Sequence, residues 1–199
     1  MSLSVPELSV LQDHTGALRP RYSSPLTGDQ VHRHTSFHEA GHAVVSMAFG
    51  LHVVDTQVYR EEQDEDRVFF TGNTQVFVDV VPALRFAVSL AAGDVAEQRH
   101  LREQGLLTDE IAGMRAGQDH DQAHAIATLA DCGFRIAADH APRGGMAWAE
   151  VVEVAERVVD LLWTRISTVG EALYAHPDGV LTGDEVAALV HLPNPVRGA

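Results

Sequence analysis

Apolar residues first recur at helical spacing over residues 29–49, where Val31, Phe37, Val44, Val45 and Ala48 mark one stripe. Asp29 or Thr27 stands where a cap is needed, and Gly50 stands where the helix should stop. Residues 51–60 change period. Leu-His-Val-Val-Asp-Thr-Gln-Val-Tyr-Arg is β-branched and partly alternating, which predicts a strand. Residues 61–66 are charged and predict a solvated loop, and Val68 to Val78 predict a second strand interrupted at Thr71-Gly72-Asn73. The two strands form a small hairpin. A sheet edge of this kind can take an extended peptide as an added strand; a purely structural hairpin fits the pattern equally well.

Helical spacing then returns. Asp79 is placed to cap a helix with Pro82 in its first turn, running through Leu84, Phe86, Ala87, Val88, Leu90 and Ala91, past a close-packing Gly93, to about Arg102. Gly105 ends it, residues 106–117 read as a loop, and a helix is expected at 118–131. Residues 133–146, with Gly133, Pro142, Gly144 and Gly145, read as a mobile loop. A long helix follows at 147–174, faced by Val151, Val154, Ala155, Val158, Leu161, Leu162 and Ile166. The last helix opens with a capping box, Thr182 with Glu185. The Ser-, Pro- and Gly-rich residues 1–28 predict a flexible arm, and Pro193 and Pro195 predict that order ends in a tail over 193–199. The expectation is one mainly α domain, 29–192, with a small β-hairpin.

Composition narrows the function classes. The 199 residues carry 14 Lys and Arg against 28 Asp and Glu, a net charge of -14. Phosphate binding needs basic patches, so nucleic acid is not an expected partner, and the acidic surface disfavours anionic membranes. No apolar run reaches 18 residues, so no membrane span is expected. No signal-peptide pattern opens the chain, and a cytoplasmic setting is expected. Cys132 is the sole cysteine, which excludes an internal disulfide and a Cys-rich zinc site.

The chemistry concentrates in Phe37-His38-Glu39-Ala40-Gly41-His42-Ala43-Val44-Val45, which contains His-Glu-x-x-His. Helix positions four apart share a face, so His38 and His42 can present imidazole nitrogens to one zinc ion. Glu39 lies about 100° from His38 and about 60° from His42 around the helix. It flanks the ligand face and can take a proton from zinc-activated water. Two histidines on a helix can also be plain surface or core residues. His32 and His34, upstream, are expected to be structural or at the surface. A catalytic zinc site needs a third protein ligand, and Asp119, His120, Asp121 and His124 cluster at one helix start; spacing alone does not choose among them. Acidic residues there are also ordinary helix caps.

These segments together resemble FtsH-type zinc peptidases, the proteolytic domains of membrane-anchored AAA proteases. His38-Glu39-Ala40-Gly41-His42-Ala43-Val44-Val45 is similar to their zinc motif. Leu90-Ala91-Ala92-Gly93-Asp94-Val95-Ala96-Glu97 is similar to their Leu-x-Gly-Gly-Arg-Ala-Ala-Glu segment. Ala116-Gly117-Gln118-Asp119-His120-Asp121-Gln122-Ala123-His124-Ala125 resembles their Ser-Gly-Ala-x-Asn-Asp-Leu-x-x-Ala segment, and the resemblance implies Asp121 as third zinc ligand. The long helix and Leu181-Thr182-Gly183-Asp184-Glu185 look like the family's C-terminal helices, so the likeness covers about 30–190 in order. The chain departs from the family at His120, at Asp94 and over 133–146. It contains no Gly-x-x-x-x-Gly-Lys-Ser/Thr phosphate loop.

The resemblance implies a zincin-like helical metallopeptidase domain. Its cofactor would be Zn2+ held by His38, His42 and Asp121, with Glu39 as catalytic base for attack of zinc-bound water on a peptide bond. Its substrates would be peptides or unfolded segments, with a separate ATPase and self-association as the further partners such a domain admits. His120, His124 and His140 are candidates for stabilising the oxyanion. The competing readings are a catalytically silent zinc-binding interaction module, against which Glu39 argues, and a small-molecule amidase using the same zinc chemistry.

Overall fold

Helix α2, Gly28–Ala48, is the element on which the others pack. The computed structural model of the chain describes residues 3–4, 6–13, 15–18, 24–64, 67–77, 82–115 and 120–195. Thr27 starts α2 with a reciprocal cap: its hydroxyl accepts from Gln30 N at 3.2 Å, and Gln30 Oε1 accepts from Thr27 N at 2.9 Å. The helix ends where Gly50 turns left-handed at φ 81°. Gly50 N donates to Met47 O and Leu51 N to Ser46 O, both at 2.9 Å, which closes the last turn and aims the chain into a strand. Ala40, Ala43, Val44 and Val45 are fully buried, so the second half of α2 is covered on nearly every side.

One side of α2 is covered by strands. β1, His52–Asp64, pairs antiparallel with β2, Arg67–Phe77, and on its other edge with β5, Val180–Thr182, giving the order β2-β1-β5. The register sets Thr56 opposite Thr74 and Val58 opposite Gly72. The charged stretch expected to be a loop extends β1 to Asp64, and the interruption expected at 71–73 is continuous strand. Cross-strand pairing outweighs the turn propensity of Gly72-Asn73 there. β5 has only three residues and no periodic signal of its own; pairing with Asp55–Gln57 makes it a strand.

The other sides are helical. α3, Ala83–Glu103, crosses α2 closely, and α6, Trp148–Ala175, packs on both. Pro82 is the N-cap of α3, so the helix begins one residue after it; Asp79, the expected cap, lies outside the described residues. α6 buries Val151, Ala155, Val159, Ile166, Val169 and Leu173 completely. The segment expected to be loop at 106–117 contains α4, Asp109–Arg115. Then comes α5, His120–Asp131. The expected loop 133–146 holds a parallel pair, β3 (Ile136–Ala137) with β4 (Met146–Ala147). α7, Gly183–Val190, carries the expected Thr182–Glu185 capping box.

Described residues of the N-terminal arm and of the C-terminal tail make contacts with the sheet. In the N-terminal arm, a short α1 spans Leu8–Leu11, Leu3 is buried against the backbone at Gly179, and Ser4 O accepts from Arg60 N at 3.3 Å. At the other end, the Asn194 side chain accepts from Val53 N and donates to Val53 O, at 3.0 and 2.9 Å, and Pro195 O accepts from His52 Nδ1 at 2.7 Å. Among the described residues no helix is long and apolar enough to cross a membrane.

The α2–α3 crossing generates a direct test. A Cβ on Gly41 would lie 2.4 Å from Ala92 O and 2.8 Å from Ala96 Cβ. Gly41→Ala should therefore force the helices apart and lower stability by about 1–3 kcal/mol. A leftward shift of the urea midpoint with helical circular dichroism retained is the expected reading; an unchanged midpoint would refute the close crossing.

Candidate metal centre

The histidines one turn apart on α2 turn inward toward α3 and α5. His38 Nε2 and His42 Nε2 are 2.9 Å apart, and Asp121 Oδ2, from the first turn of α5, lies 3.1 and 3.2 Å from them. The three donors form a small triangle. A tetrahedral zinc with arms of about 2.0–2.1 Å separates its ligand atoms by roughly 3.3 Å, slightly wider than this triangle.

The outer nitrogens decide which atoms face inward. His42 Nδ1 lies 2.8 Å from Ser89 O, and a carbonyl only accepts, so Nδ1 carries a hydrogen. His38 Nδ1 donates to the Glu97 carboxylate, 3.0 Å from Oε2. With both Nδ1 atoms protonated, the neutral rings turn bare Nε2 lone pairs toward one another and toward a carboxylate oxygen. Three acceptors at this spacing repel unless a proton or a cation lies among them. The outward N–H bonds to a carboxylate and a carbonyl are also what orients metal-ligating imidazoles. Two nitrogens and one carboxylate oxygen suit zinc, so the residues fit the ion.

The electrostatics point the same way. Burial works against a charged His38, but the Asp121 carboxylate, with Glu39 and Asp94, more than offsets it and pushes its pKa up to about 9. His42 is raised as well, again against burial and mainly by Asp121. Burial favours a neutral Asp121, yet the two imidazoles hold its carboxyl well below the ordinary range. All three shifts favour positive charge on the imidazoles beside an ionised Asp121.

Two glycines clear the space. A Cβ on Gly93 would come within 2.3 Å of His42 Nε2 and 2.8 Å of His38 Nε2, so only glycine lets α3 back onto the imidazoles. A Cβ on Gly72 would come within 2.2 Å of Glu39 Oε1. The buried Glu39 carboxylate thus lies against β2, where the Thr74 hydroxyl donates to Oε2 at 2.7 Å. The Thr56 and Thr74 hydroxyl oxygens are 2.9 Å apart; with the Thr74 hydrogen given to Glu39, Thr56 donates to Thr74. Glu39 is close enough for its charge to raise both histidines.

The structure therefore brings together the donor atoms of His38, His42 and Asp121 and holds Glu39 beside them against β2, all four being residues singled out in the sequence. Asp119 lies outside the described residues. His120 and His124 are not among the converging donors: their rings are 6.2 Å apart, and His124 stands edge-on to Phe86. His140 is exposed on the 133–146 segment. His32 is structural, stacked on Phe70 at 4.8 Å. Sequence reasoning assigned no role to Glu97, Ser89, Gly72 or Thr74. Glu97 carried a usable signal, being one turn from Gly93 on the same helix; Thr74 carried none, since its place depends on hairpin register.

The raised His38 pKa gives a pH dependence with a definite sign. The ordinary value is 6.5 and the folded value about 9, so protonated His38 stabilises the metal-free fold fully below pH 6.5. That contribution is lost as pH rises through about 9. Asp121, shifted down, contributes above its ordinary 3.8 and loses that contribution as pH falls through its folded value. Denaturation in the presence of a chelator should show stability falling from neutral pH into the alkaline range, and a bound divalent cation should remove that decline. A flat profile without metal would contradict the shared-proton geometry.

Comparison with known proteins leaves the assignment to this geometry: no family profile matches the chain, and no curated protein matches it significantly.

Proposed function

We propose that the chain is a zinc-dependent metallopeptidase of zincin-like build, related to FtsH-type peptidase domains. The observation that carries the reading is the convergence of His38 Nε2, His42 Nε2 and Asp121 Oδ2 with both Nδ1 hydrogens anchored outward. The likeness of the Leu90–Glu97 segment to the family's second motif supports it, because the Gly93 and Glu97 of that segment are the residues against the imidazoles. A zinc ion held by His38, His42 and Asp121 would supply a Lewis acid that polarises a carbonyl and makes water more acidic.

The protein's own contribution is proton handling and orientation. Thr74 occupies Glu39 Oε2, which leaves Oε1 as the oxygen that accepts the proton of the attacking water. As the oxygen of water bonds to the scissile carbon, that proton moves to Glu39; as the C–N bond breaks, Glu39 delivers it to the departing amine nitrogen. His38 and His42 keep their orientation through Glu97 and Ser89. Among the described residues no strand pairs with the outer edge of β2, and this strand carries the Glu39 contacts. An extended peptide added along that edge would pass the base, so unfolded or flexible segments are the substrates of this reading. Folded proteins would need a separate ATPase to feed them.

Three variants test it. The wild type should hold about one zinc per chain, and His42→Ala and Asp121→Ala should lose it, checked by elemental analysis after dialysis. Glu39→Gln keeps shape and the Thr74 bond but removes basicity. It should retain zinc and fold while losing hydrolysis of casein or a peptide library by on the order of a hundredfold or more. Full zinc in His42→Ala would sink the site. Full activity in Glu39→Gln would sink the base. A zinc-loaded wild type inert on every peptide would favour the silent interaction module.

A further inference from the structure

The Thr74 hydroxyl carries one hydrogen and has three oxygens around it. Glu39 Oε2 lies 2.7 Å away, the Glu39 main-chain oxygen 3.1 Å and Thr56 Oγ1 2.9 Å. A carboxylate oxygen only accepts, so a Thr74 hydrogen turned toward Thr56 would set bare lone pairs against each other at 2.7 Å. Glu39 is 4 % exposed, and an oxygen left without its donor is costly at such a place. The carboxylate would turn to relieve the repulsion, and Oε1 would turn with it.

Thr56 decides which way that hydrogen points. It is fully buried in the central strand, paired to Thr74 on β2 and to Leu181 on β5. Both neighbouring strands hold its backbone, so Oγ1 stays where the register puts it. Among the described residues Thr74 is the one hydrogen-bond partner of the Thr56 hydroxyl. A buried hydroxyl withholds its hydrogen only at a cost, and this one has a single oxygen to receive it. Thr56 therefore donates to Thr74, occupies one of its lone pairs and commits the Thr74 hydrogen to Glu39. Donation in series also strengthens each bond of the chain.

We propose that Thr56 is a positioning residue for Glu39, fixing the carboxylate through Thr74 with Oε2 bound and Oε1 left for the attacking water. This rests on the peptidase reading above, in which Glu39 is the base.

A pair of threonines across two strands also has an ordinary packing role, and the two roles order the variants oppositely. Thr56→Val keeps shape and β-branching but deletes the hydroxyl. Thr56→Ser keeps the hydroxyl and deletes a methyl group. The test is hydrolysis of a peptide that the wild type cleaves, by zinc-loaded proteins, with rates expressed per zinc-bound chain and folding followed by circular dichroism. Thr56→Val should lose about fivefold in kcat, the weight of one ordinary hydrogen bond, with KM within about twofold. Thr56→Ser should stay within about twofold of the wild type. In a Thr74→Val background, Thr56→Val should add less than a further twofold, because its route to Glu39 is already cut. A Thr56→Val protein as active as wild type, a Thr56→Ser protein worse than Thr56→Val, or a full fivefold loss added on top of Thr74→Val overturns the proposal. Should Thr56→Val fail to fold, the hydroxyl-proton NMR spectrum of the wild type decides. Slowly exchanging hydroxyl hydrogens on both Thr56 and Thr74 support the chain, and a Thr56 hydroxyl in rapid exchange with water overturns it. A wild type that cleaves no peptide refutes the peptidase reading and this inference with it; an active wild type matched by Thr56→Val refutes this inference alone.

Discussion

The close crossing of α2 and α3 is the constraint on which the rest depends. Gly41 on one helix meets Ala92 and Ala96 on the other, and Gly93 meets both imidazoles. Removing side-chain bulk at these points brings the backbones near enough for Ser89 O to reach His42 Nδ1 and for Glu97 to reach His38 Nδ1. Packing and chemistry are therefore one arrangement. A wider crossing would lose the partners that hold the rings, and the two Nε2 atoms would no longer face a common point.

That crossing also concentrates charge in a place where charge is expensive. Glu39 and Glu97 are almost fully buried, and Asp121 and Asp94 stand close to His38. In an already acidic chain such a cluster is tolerable only with compensating positive charge or hydrogen bonds. Three of the four have such partners, Thr74 for Glu39, His38 Nδ1 for Glu97 and two imidazoles for Asp121, while Asp94 is partly exposed. What the partners leave uncompensated is the centre of the triangle, where three acceptors meet.

The hairpin places Glu39. Glu39 flanks the ligand face by helix geometry alone, but its carboxylate direction comes from β2, where Gly72 leaves room and Thr74 holds one oxygen. The same sheet is closed on its far edge by β5 and by the residues around Asn194, which tie the C-terminal end of the described chain to β1. Elements far apart in sequence thus stiffen the strand pair that orients Glu39.

Much of this was readable in the chain. An α-helix is set by hydrogen bonds four residues apart, so the common face of His38 and His42, the flanking position of Glu39, the caps at Thr27 and Thr182, and the close-packing role of Gly93 follow from local order. The strands were half legible. Alternation marked β1, but whether the charged residues after Glu61 and the Gly72-Asn73 dipeptide stay in strand was decided by pairing, which no short window contains. The turn-like segments hiding α4 and the β3–β4 pair misled for the same reason. At the centre, spacing left four candidates around residue 120 to complete the donor set, and likeness to a family singled out Asp121. Only the packing of α5 on α3 brings Asp121 Oδ2 within 3.2 Å of both imidazoles. The outward partners Ser89 and Glu97, and Thr74 beside Glu39, belong wholly to the tertiary structure. Their positions depend on how whole helix faces and a strand register fit together, the sum of many weak contacts between distant segments.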